Sequence, residues 1–125
     1  MRTSKKHFEI FKAECEKWIK RFGLLGYRFY FEHKNREENC LACIAWPKQA
    51  EDRVFTITLT LDIADRTFPL LDIKRSAFHE VMEAMLYKIS DLARDRYVKP
   101  SEIREEIHNL VRILESAVYD YEKGA

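Results

Sequence analysis

The chain has 125 residues, 46% hydrophobic and 13% aromatic, which is enough for one sizeable core and too little for two comfortable domains, so residues 1–125 are read as one domain. Its 22 basic side chains against 21 acidic ones create no overall positive field, so nucleic acid is not an expected partner. The amino terminus leads straight into an amphipathic pattern without a signal-peptide-like apolar stretch, and no membrane-length apolar run occurs; a soluble cytoplasmic protein with no membrane partner is the expectation.

From Ser4 to Phe22 the residues Phe8, Phe11, Cys15, Trp18, Ile19 and Phe22 recur at steps of three and four with charges between them, which predicts an amphipathic helix. Ser4 is a plausible cap, and Gly23 and Gly26 stop the helix. Tyr27 to His33 is aromatic-rich and largely alternating, Lys34 to Asn39 is a polar turn, and Cys40 to Trp46 reads as a second strand ended by Pro47. After a turn over Gln49 to Asp52, Phe55, Ile57, Leu59 and Leu61 alternate with Thr56, Thr58 and Thr60, the clearest strand of the chain. Three strands at short spacing predict an antiparallel meander covered by helices on its apolar side.

Asp62 to Leu71 is a connector containing Pro69, after which Asp72 can cap a helix running to about Arg96, with Phe78, Val81, Met82, Met85, Ile89 and Leu92 as its apolar stripe. A last helix follows Pro100 and Ser101, its stripe formed by Ile103, Ile107, Leu110, Val111, Leu114, Val118 and Tyr121. The expected fold is α+β: an N-terminal helix, a three-stranded largely antiparallel sheet, and two closing helices.

Three cysteines, an odd number, suit a reducing compartment better than a disulfide framework. Cys40 and Cys43 have C-x-x-C spacing, but no second pair completes a four-thiolate zinc site, and Cys43 runs on into a strand rather than a helix. They are read as ordinary half-buried cysteines.

The residues that carry chemistry lie on the second helix, in Ala77-Phe78-His79-Glu80-Val81-Met82-Glu83. This is the zinc-peptidase motif H-E-x-x-H with a carboxylate in place of the second histidine. His79 and Glu83 stand one helical turn apart, the placement that two ligands of one zinc ion need, and Glu80 between them suits a general base acting on a metal-activated water. About 100° per residue puts His79 and Glu83 beside the apolar stripe, where a buried site would be built. A further protein ligand is needed, and Glu105 and His108 on the last helix form an i, i+3 pair on the matching flank, whereas Glu106 points to the opposite side. An E-x-x-H element also occurs in carboxylate-bridged di-iron bundles, but those sites draw ligands from four helices and this chain offers three.

The chain resembles the small zincin metallopeptidases, especially the compact gluzincin-like peptidases often encoded by phages and prophages. The resemblance covers the order of elements, and in sequence it rests on Ser76 to Leu86 and on Glu105-Glu106-Ile107-His108-Asn109-Leu110-Val111-Arg112-Ile113-Leu114-Glu115. It implies one zinc ion per chain, with His79 as the first ligand, Glu80 as catalytic base, Glu105 or His108 as the downstream ligand, and cleavage of a peptide or protein substrate. Glu83 departs from the pattern and reduces the positive charge that makes zinc-bound water acidic. The alternative is a scaffold of the same fold without the chemistry, acting as a protein-binding or structural module. For that class the outward members of Tyr27 to Phe31 and Trp46 form either a contact patch or simply the underside of a core.

Overall fold

The computed structural model describes residues 2–35, 40–46, 53–62 and 70–122. Arg36 to Asn39 of the expected turn over Lys34 to Asn39, the expected turn over Gln49 to Asp52, and residues 63–69 of the expected connector from Asp62 to Leu71 lie outside those residues.

Helix α1 spans Lys5–Arg21. Its first turn closes through a capping box: the His7 backbone N–H donates to the Ser4 hydroxyl, and the Ser4 N–H donates to His7 Nδ1. A histidine thus takes the place usually held by a glutamate. The helix ends at Phe22, and Gly23 follows at φ 68°, a left-handed conformation that glycine adopts without strain. Ser4→Ala is expected to cost about 1 kcal/mol of stability, since it strips a partner from an end N–H. An unchanged urea midpoint in that variant would show that water caps the helix equally well.

Strands β1 (Arg28–His33), β2 (Ala42–Ala45) and β3 (Val54–Leu59) follow. The sheet is mixed, in the order β1-β3-β2, with β1 parallel and β2 antiparallel to β3. The expected meander is corrected here: the third strand enters between the first two. The reason is visible in the burial of β3, whose Phe55, Ile57 and Leu59 are inaccessible and whose Thr58 is covered as well. The most apolar strand takes the position that is shielded by neighbours on both edges. Register places Phe29, Phe31, Ile44 and Ala42 on the same face as Phe55, Ile57 and Leu59. That face meets the helices.

Helix α2 (Leu70–Arg94) packs its Ile73, Ala77, Val81 and Met85 into one core with Phe11 and Cys15 of α1 and with Ile57 and Leu59. Asp72 falls inside its first turn rather than at the cap. A second cluster joins Phe55 to Ala84 and Tyr87, with Trp46 edge-on to Tyr87 at 5.1 Å between ring centres. Of the two roles expected for these aromatics, Tyr27, Phe29, Phe31 and Trp46 take that of the underside of a core, and Tyr30 alone of that group is an exposed large aromatic.

Helix α3 (Pro100–Leu114) runs on into a π-helical segment, Glu115–Asp120. Its register against the rest of the molecule is set at two points. The Lys88 ammonium meets the Glu106 carboxylate at 3.4 Å, and the Arg21 Nε donates to the Ala117 carbonyl at 2.9 Å. Glu106 and Ala117 are consequently buried, with Leu110 and Ile113 partly so. The expected stripe is split: Ile107, Val111, Leu114, Val118 and Tyr121 face solvent. Among the described residues no helix is long and apolar enough to cross a membrane.

Candidate metal centre

The motif segment lies in the middle of α2, where every backbone amide is held within the helix, so the spacing of its side chains is rigid. His79, Glu80 and Glu83 each offer a ligand atom within 4.8 Å of the other two, and among the described residues this is the one group of three or more His, Cys, Asp or Glu so placed. His79 Nε2 stands 3.9 Å from Glu83 Oε1. The two side chains are well exposed, at 68% and 45%. The burial expected of them falls to Glu80, which retains 5% exposure.

Glu80 stands out among the described residues. Its Oε2 is buried without a hydrogen-bond partner. Burial, then hydrogen bonding with Glu83, then the negative charge of Glu83, raise its pKa from the ordinary 4.5 to about 8. An orphaned, desolvated carboxylate beside two outward donors is the arrangement that a cation would relieve: positive charge would ionise Glu80 and separate the two acids electrostatically. The donor set of one imidazole and two carboxylates fits a divalent ion such as zinc.

The site opens into a groove of about 540 Å³ lined by His79, Glu80, Arg75 and Ser76 on α2 and by Cys40, Leu41 and Ala42 at the start of β2. Because β2 pairs with β3 on one side only, its other edge has no strand partner among the described residues. Such an edge presents backbone donors and acceptors to an extended chain. Neither the groove nor the special state of Glu80 was visible in sequence spacing alone. The signal that pointed to them was the motif itself.

The downstream candidates are not brought to this group. His108 and Glu105 are exposed and line a separate surface hollow on α3 together with Arg104, Ile107 and Val111. The register explains why. Glu106 sits level with Lys88, and nine residues of α2, about 13 Å of helix rise, separate Lys88 from His79. The flank expected to face the motif is also the wrong one, since Glu106, not Glu105 or His108, turns inward.

None of the three cysteines is bridged to another. Cys15 is buried, its Sγ donating to the Ala77 carbonyl at 3.8 Å, and burial followed by nearby Glu80 pushes its pKa well up. Cys40 and Cys43 are half-buried and unbridged.

No protein-family model, curated protein or solved structure matches the chain.

Proposed function

We propose that the chain is a metal-dependent hydrolase acting on peptides, with His79 and Glu83 holding a zinc ion and Glu80 serving as general base. One observation carries this reading: a buried carboxylate with an orphaned oxygen, its pKa pushed up by burial, stands within reach of two outward ligand atoms and lines an open groove. With its proton driven off by the neighbouring cation, Glu80 would accept a proton from water in one step and return it to the leaving amine in the next. When bound, the zinc ion would supply Lewis acidity, polarising the scissile carbonyl and acidifying the attacking water. Glu83 both donates to that centre and faces Glu80, so it holds the base in place as well as the metal. The free edge of β2 supports an extended peptide as the substrate, lying along Cys40 to Ala42 beside His79.

The test is metal content. Protein purified without an affinity tag is expected to carry about one zinc per chain, with His79→Ala removing it while the far-ultraviolet circular dichroism stays unchanged. His108→Ala and Glu105→Ala are expected to leave the zinc in place. Wild-type protein that stays metal-free in excess zinc would sink the reading.

One observation favours a second reading. All three clustered donors come from a single helix, and among the described residues no other element adds a ligand. Zinc held by so few donors binds loosely. On this reading the chain keeps the groove and strand edge as a peptide-binding module without hydrolysis.

A further inference from the structure

The groove beside the motif has two walls. One is the start of β2, through Cys40, Leu41 and Ala42, and the other is α2, which contributes Arg75, Ser76, His79 and Glu80. The walls run in the same direction, since beyond the groove Trp46 meets Tyr87 edge-on. The strand from Ala42 to Trp46 and the helix from His79 to Tyr87 each rise about 12–13 Å, so a position along one wall translates into a position along the other.

Arg75 is the groove residue that the proposed chemistry leaves unused. It is exposed, and among the described residues that line the groove it is the one Lys or Arg side chain. Among the described residues no ion pair or hydrogen bond reaches its guanidinium. Asp72, three residues earlier on the same helix, stands at ion-pair spacing but forms no pair with it. With zinc bound, the two charges of the ion would offset those of Glu80 and Glu83, leaving Arg75 as the uncompensated charge beside the groove.

A guanidinium fork held by no protein partner matches a carboxylate, with which it forms two parallel charge-assisted hydrogen bonds. Spacing fixes where that carboxylate sits in a bound peptide. From Arg75 to the level midway between His79 and Glu83 is about 9 Å of helix rise, equal to two to three residues of extended chain at about 3.3 Å each. We infer that Arg75 selects peptides carrying a carboxylate two to three residues from the bond that lies over His79 and Glu83. The inference rests on the reading of the groove and the β2 edge as the site of an extended peptide, and does not require its hydrolysis.

Fluorescence anisotropy of labelled peptides tests this, on Glu80→Gln protein in excess zinc so that the peptides stay uncut. End-blocked decapeptides of Ala, Ser and Thr carry a single Glu, Gln or Lys. A fourth carries Gln and a free C-terminal carboxylate, which separates an acidic side chain from a chain end as the source of the charge. The Glu peptide is expected to bind about fivefold more tightly than the Gln peptide, and the gap to close in high salt. Tight binding of the fourth peptide would assign the same carboxylate site to a chain end. Arg75→Ala is expected to remove the preference and Arg75→Glu to reverse it, so that the Lys peptide binds best. A merely structural arginine would not produce that reversal. Binding that ignores peptide charge, or Arg75→Glu protein that keeps the original order, overturns the proposal and leaves the groove as a peptide site. Protein to which none of the four peptides binds overturns both.

Discussion

In chelator-treated protein, Glu80→Gln is expected to stabilise the fold at pH 9 and to leave it nearly unchanged at pH 4. The unfolded chain releases the Glu80 proton near the ordinary 4.5, whereas the folded chain holds it up to about 8. Between those values the native state binds a proton that the unfolded state has lost, so stability falls as pH rises through the window and levels off above it. Glutamine does not titrate and escapes the penalty. At 1.36 kcal/mol per pKa unit, and discounting for water that reaches the site, the difference between the proteins should grow to about 2–4 kcal/mol at alkaline pH. Urea midpoints at pH 4, 6 and 9 give the comparison. Parallel pH curves for the two proteins would show that Glu80 ionises normally and that its burial is compensated. Zinc should reverse the order at high pH, because a cation that binds only the folded state favours its ionised form.

The elements were legible in the chain because their patterns are local. Steps of three and four marked α1 and α2, and the alternation around Phe55 to Leu59 marked the central strand. The pairing of strands was not local: β3 lies between β1 and β2 because its burial on both faces outweighs the short connections that favour a meander. The motif helix shows the same division. Spacing alone placed His79 and Glu83 on one face, and the structure brings their ligand atoms together. Which of the three motif residues is buried follows from the side of α2 that enters the core: Ala77, Val81 and Ala84 are buried there, and Glu80, at the same helical spacing, goes in with them.

The last helix is the instructive failure. Hydrophobic periodicity assumes that the most apolar seam faces the core, and α3 violates that assumption because Glu106 is held inside by Lys88 while Val111 and Leu114 stand outside. The placement of the downstream candidates rested on two things that spacing does not give. With the wrong seam turned inward, Glu105 and His108 appeared to face the motif; with the register unknown, their distance along α2 was invisible.

The remaining large effect concerns the departure at Glu83. If it is a ligand in a working site, Glu83→Ala should lose the zinc, and Glu83→His should keep it with one negative charge fewer, which strengthens the pull of the ion on water. Glu80→Gln should retain the metal and lower peptide hydrolysis by about 10²–10⁴-fold, since its amide neither accepts nor returns a proton. Glu83→His also removes the acid that now helps to raise the Glu80 pKa, so the acidic limb of its pH–rate profile should move to lower pH. In a silent scaffold the pattern inverts: wild type and Glu80→Gln hydrolyse nothing, and only Glu83→His binds zinc well. Equal zinc occupancy in wild type and Glu83→Ala removes Glu83 from the ligand set, leaving His79 and Glu80 as two adjacent donors on one helix. Hydrolysis that disappears in that variant despite full zinc would then mark Glu83 as the residue that positions Glu80 rather than the metal.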